Sequence, residues 1–230
     1  MQTPDDVLAQ RGGTISGAWI ERLDLRGGDL TGTHFAGTRM RQVGLADAVL
    51  DQAVLQGVEL VGCDLRQARL VELEAQGGLL SACDLSRAAG ERLRLRGTRL
   101  VDCRFGGASL DGARLVGVTI EGGETSYMRL PRAVLLGSRF SHPRLGGAQL
   151  MRVDLRGAFL VDCDLRAANF YAADLRGAVL VRCDLSDASF DGADLTAAVL
   201  IECSTARTDW ADARLPGAAT NEARQQHGGA

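Results

Sequence analysis

The chain has 230 residues, 46% hydrophobic and 24% charged, with 29 Gly, 4% aromatic residues and a net charge of −3. This is the balance of a soluble globular protein in which small residues replace bulky ones. The longest apolar runs are about five residues, against the ~20 a membrane helix needs, and MQTPDDVLAQRGG lacks a basic start and an apolar core, so the sequence predicts a cytoplasmic protein with no membrane contact.

Thr3-Pro4-Asp5-Asp6 reads as a helix start, with Thr3 as N-cap, Pro4 at the first helical position and Asp6 as the capping-box acid. Residues 1–17 are therefore expected to form an N-terminal cap, with Val7 and Leu8 covering whatever follows.

From Ile20 onward the chain repeats every five residues. Stepping by five to Leu215 visits 40 positions, and 36 of them are Leu, Ile, Met, Phe or Trp; the exceptions are Ala75, Gly90, Thr125 and Thr205. Two places before each centre, 35 of 40 residues are Ala, Gly, Cys, Ser, Thr or Val. An α-helix buries a stripe of period 3.6 and a flat strand every second residue, so five fits neither. A five-residue unit cannot bury its own Leu; units must wind into stacked turns that share one core.

The cysteines give the length of a turn. Cys63, Cys83, Cys103, Cys163, Cys183 and Cys203 all occupy the small inward slot, separated by twenty or a multiple of it, with Gly123 and Pro143 in the two slots between. One interior column carries every thiol, and the expected role is that of small buried hydrophobes. A column points its sulfurs in parallel, unlike a tetrahedral zinc site, so neither metal nor cofactor is expected.

Charge is unevenly spread. Residues 1–86 hold 12 acids and 7 Arg, residues 87–156 hold 6 acids and 13 Arg, and residues 157–230 hold 11 acids and 6 Arg; all 26 basic residues are Arg. The middle is also the least regular part, with EGGETSYM at Glu121 to Met128 barely matching the repeat, and a distorted coil or kink is expected there.

Beyond it, Asp154, Asp174 and Asp194 recur at twenty-residue spacing beside Arg156 and Arg176, and Asp164 and Asp184 do so near Arg166. They read as an exposed salt-bridge ladder of small net worth or as an acidic face for a basic partner. Phe159, Val179 and Val199 precede core centres that Val161, Val181 and Ile201 follow, so three turns should show an apolar strip on one face, a candidate homodimer or partner contact. Trp210 takes a core position near the end, and residues 218–230 read as a disordered tail.

AADLRGAVL at Ala172 to Leu180 and CDLSDASF at Cys183 to Phe190 resemble the A-(D/N)-L-x-x pattern of pentapeptide-repeat proteins. The resemblance covers residues 18–217. It implies an all-β, right-handed quadrilateral parallel β-helix with four pentapeptides per turn and about ten coils. It also implies two functions. One is a non-enzymatic protein-interaction scaffold, such as those accompanying bacterial secretion systems including type VI. The other is protection of DNA gyrase or topoisomerase IV by DNA mimicry, giving quinolone or antibiotic self-resistance. A rod packed with Leu and Ala offers flat faces rather than a catalytic pocket. Direct nucleic-acid binding by the Arg-rich band is disfavoured by the missing Lys and stacking aromatics.

Overall fold

The computed structural model describes residues 3–220. A short helix, α1 (Pro4–Leu8), opens the chain with the expected capping box: the Asp6 amide donates to Thr3 Oγ1 at 3.2 Å and the Thr3 amide to Asp6 Oδ2 at 2.8 Å. Val7 is fully buried and Leu8 packs on the first coil. Gly28 makes room for it, since a Cβ there would lie 2.5 Å from Leu8 Cδ2.

The rest is a parallel β-solenoid. Successive pentapeptides fall on four ladders, beginning at Thr14, Trp19, Asp24 and Asp29, and each recurs every twenty residues in parallel register. The coil is therefore four-sided. Its corners explain the period of five: from Gly17 to Gly217 the residue two places after each core centre has a left-handed backbone, whether Gly, as at Gly157 (φ 62°), or not, as at Asp162 (φ 53°). That conformation turns the chain once per unit, and outside Gly it costs roughly 1–2 kcal/mol.

The first face is a six-stranded sheet running from Thr14–Ser16 to Arg114–Val116; beyond it the ladder continues as single bridges through Val134, Asp154, Asp174 and Asp194 to Arg214. The second face is an eleven-stranded sheet from Trp19–Glu21 to Ala219–Thr220. The third and fourth faces are bridge ladders. Ala219–Thr220 pairs with Val199–Leu200, so the coil runs past residue 217. The rest of the expected tail, 221–230, lies outside the described residues. No helix among the described residues is long and apolar enough to cross a membrane.

Inside, Leu, Ile, Met and Phe centres alternate with small residues in one continuous core. Each fully buried Leu contributes roughly 1.5–3 kcal/mol by leaving water. Polar inward residues satisfy themselves on the neighbouring coil: Thr38 Oγ1 donates to the Ile15 carbonyl at 3.1 Å and Ser138 Oγ to that of Leu115 at 2.6 Å. The thiols do the same more weakly, Cys83 Sγ to the Leu60 carbonyl and Cys183 Sγ to that of Leu160, both at 3.4 Å.

Size is exchanged where the repeat lapses. Ala75 is small at a centre and Leu73 large in the slot before it, and both are buried. Gly90 leaves a place that Leu93 and Leu110 fill, for a Cβ on Gly90 would lie 3.5 Å from Leu93 Cβ and 2.6 Å from Leu110 Cδ2. The irregular middle keeps its phase: Glu124 bridges Arg104 and Arg144, and buried Thr125 donates to the Arg144 carbonyl at 2.8 Å. The local change is that the first face loses its three-residue strands after Val116; Gly123 (φ 87°) runs so close to the previous coil that a Cβ would lie 2.2 Å from the Cys103 carbonyl oxygen, as one on Gly78 would lie 2.3 Å from that of Val58 in a regular coil.

Candidate interaction faces

Strands Phe159–Val161, Val179–Val181 and Val199–Ile201 lie side by side near the C-terminal end of the eleven-stranded sheet. Their register sets Phe159 beside Val179 and Val199, and Val161 beside Val181 and Ile201, while Leu160, Leu180 and Leu200 point into the core. Alternation along a strand leaves no other arrangement once Leu is inward. Phe159 is 42% exposed and Ile201 36%, and the four valines are half-buried. The strip predicted from the sequence is thus a single flat apolar patch.

Its borders carry information that the hydrophobic pattern alone does not display. On one side the corner residues are Gly157, Gly177 and Ala197, which add little or no side chain. On the other they are His142, Asp162, Arg182 and Glu202. Asp162 accepts two bonds from Arg182, Nε and Nη2 each at 2.7 Å, and His142 Nδ1 lies 3.8 Å from Asp162. The Arg139 guanidinium sits over the Phe159 ring, 5.4 Å from its centroid, a cation–π contact at the edge of the patch. Twenty-residue spacing, applied to every outward position, would have found all five polar neighbours.

The five aspartates do not form one surface. Asp154, Asp174 and Asp194 share the ladder of the first face, whereas Asp164 and Asp184 share that of the third, with the apolar strip's face between them. Three of the five grip the arginine two residues on in a bidentate pair: Asp154 with Arg156 (2.9 and 2.7 Å), Asp164 with Arg166 (2.9 and 2.8 Å), and Asp174 with Arg176 (2.8 and 2.6 Å). Arg156 also reaches Asp174 on the next coil at 3.6 Å, and Arg166 reaches Asp184 at 3.8 Å. The principal pairing is therefore within a coil, made by the D-L-R order itself. The hydrogen bonds from Arg156 and Arg166 hold the Asp154 and Asp164 carboxyls below the usual carboxylate range. Asp194 is held down by hydrogen bonds from Thr196, and Asp184 accepts the Ser186 amide at 3.0 Å.

The model of pentapeptide repeats matches eight copies in this chain, over residues 21–57, 48–87, 91–122 and 163–200. The chain belongs to the pentapeptide-repeat family. Among solved structures, this family member is similar to HetL, a pentapeptide repeat protein involved in heterocyst differentiation regulation from the cyanobacterium Nostoc sp. strain PCC 7120. The two are 28% identical over 89% of this chain and 88% of that one, with a TM-score of 0.28. It is also similar to full-length QnrB1, a plasmid-mediated fluoroquinolone resistance protein, at 18% identity over 92% of this chain and 96% of that one, with a TM-score of 0.46. No curated protein matches the sequence. Among the described residues no cluster of His, Cys, Asp and Glu has the arrangement of a metal site.

Proposed function

We propose that this pentapeptide-repeat protein is a non-catalytic interaction module that pairs with a second copy of itself through the strip of Phe159, Val161, Val179, Val181, Val199 and Ile201. The observation that carries the reading is the register of three adjacent strands, which gathers six apolar side chains on a flat, solvent-facing surface. An exposed apolar patch with a polar rim is the ordinary signature of a protein contact. Three strands at ~4.8 Å spacing span only the centre of such a contact. A stable dimer needs about 800 Å² from each partner, so its rim would draw on Arg139, His142, Asp162, Arg182 and Glu202.

A β-solenoid that pairs in this way offers its other faces to further proteins, which fits a scaffold, with an accessory place in a bacterial secretion assembly as one setting. Topoisomerase protection by DNA mimicry requires an acidic surface with charge to spare. Asp154, Asp164 and Asp174 instead spend theirs on Arg156, Arg166 and Arg176, and this weighs for the apolar contact.

The test is affinity capture on the wild-type chain and on a Val179→Arg, Val181→Arg variant, with an untagged second copy of the chain supplied alongside the host lysate. The reading predicts that the untagged copy is retained by the wild type and lost from the variant. Equal retention by both, or capture of gyrase or topoisomerase IV subunits that about 0.3 M salt releases, would contradict it.

A further inference from the structure

A second surface lies on the first face, away from the strip. The strands Val54–Gln56, Glu74–Gln76, Arg94–Arg96 and Arg114–Val116 form the floor and sides of a groove of about 430 Å³. Ala75 and Leu95 lie in its floor, and the small side chain at Ala75 lowers it. One side carries Glu74, Arg94 and Arg114 in register, and the other Gln56, Gln76 and Arg96.

The charges there are unbalanced. Arg94 is bound to Glu74, the only acid in the lining, while Arg96 and Arg114 have no carboxylate partner among the described residues. Arg94 and Arg114 also stand directly opposite each other on neighbouring strands, a like-charge pairing that destabilises a sheet. The pairing that Arg66 makes with Asp64 in its own coil, and Arg182 with Asp162 one coil earlier, is absent at Arg96 and Arg114 among the described residues. The groove keeps its excess charge.

We infer that this groove binds an extended acidic segment of a partner polypeptide. Carboxylates on the segment match the planar forks of Arg96 and Arg114. The stacked amides of Gln56 and Gln76 present both donors and acceptors, as an extended peptide backbone requires. Four strands give roughly 14 Å of length, the reach of about four extended residues. No Phe, Tyr or Trp lines the groove, and the half-buried His34 is its one ring, so the row of stacking aromatics that single-stranded nucleic acid uses is missing. The site is independent of the dimer strip and stands whether or not the chain pairs.

Fluorescence anisotropy with a labelled peptide of alternating Asp and Glu tests this on the full chain. The wild type should bind it, more weakly as salt rises. Arg96→Glu with Arg114→Glu should weaken binding by at least about tenfold, equivalent to 1.4 kcal/mol. Arg129→Glu, which reverses an exposed arginine on the fourth face, should leave binding unchanged, and circular dichroism should show all variants folded. No binding by the wild type, an equal loss in the Arg129 variant, or tighter binding of a single-stranded oligonucleotide of similar length would overturn the inference.

Discussion

The indole of Trp210 stacks on the ring of Phe190, twenty residues earlier, with centroids 4.7 Å apart and planes inclined by 13°. Phe190 in turn stacks on Phe170 at 4.6 Å and 7°. The column runs into the last described coil, where Leu215 is 41% exposed. Trp210→Ala should cost about 2 kcal/mol, less than a fully buried Trp because the residue is partly solvated. Urea unfolding followed by far-UV circular dichroism reads it, and an unchanged midpoint would mean that the last coils do not depend on the stack.

Leu175 is fully buried at a core centre. Leu175→Asp places an unpaired carboxylate there and costs several kcal/mol out of a typical total of ~5–15. The melting transition should collapse or vanish, while Asp174→Asn next to it should shift it little. A Leu175→Asp protein with the wild-type melting temperature would contradict the inward register.

The bidentate Asp and Arg pairs give the acid limb of stability its sign. Arg156 and Arg166 hold the Asp154 and Asp164 carboxyls below the ordinary value of 3.8. Because the folded pKa lies below the unfolded one, the pairs stabilise the fold above that value, and the contribution disappears as pH drops through the folded values. The melting temperature should be flat from about pH 7 to 5 and fall below about pH 4. Asp154→Asn should shrink that fall. A melting temperature that rises on acidification would contradict the assignment.

Most of the thiols should be inert in the folded state: five of the six are buried, although hydrogen bonding with Cys83 lowers Cys103, and Cys203 is only partly covered. Hydrogen bonding with the Cys103 thiol and burial push Cys83 up to about 12, and Cys163 and burial do the same to Cys183. Since the thiolate is the reactive form, a thiol reagent at pH 8 should react far more slowly with native protein than with urea-unfolded protein, where all six cysteines become available. Comparable rates in the two states would place the column outside the core.

The fold was readable because a solenoid repeats one instruction. Leu at every fifth position with Ala or Cys two before it is a local statement, and a period that never slips makes it global. The strip of Phe159 to Ile201 followed from the same arithmetic. What stayed hidden depends on where each unit sits around the coil and on side-chain conformation. Asp154 and Asp164 are ten residues apart in sequence and lie on different faces, so a list of aspartates at regular spacing does not make a surface. The twenty-residue spacing reads as a ladder between coils, but an arginine two residues along is closer to its own aspartate than to the next coil's. The groove beside Arg96 and Arg114 is not legible in the sequence because it rests on a small residue, Ala75, that reads only as a lapse in the repeat.

The solution mass of the wild-type chain and of its Val179→Arg, Val181→Arg variant, measured by light scattering over a range of concentrations, tests the self-pairing strip most directly. The account predicts twice the chain mass for the wild type and a single chain mass for a folded variant. A wild type that stays monomeric, or a variant that remains a dimer, would contradict it.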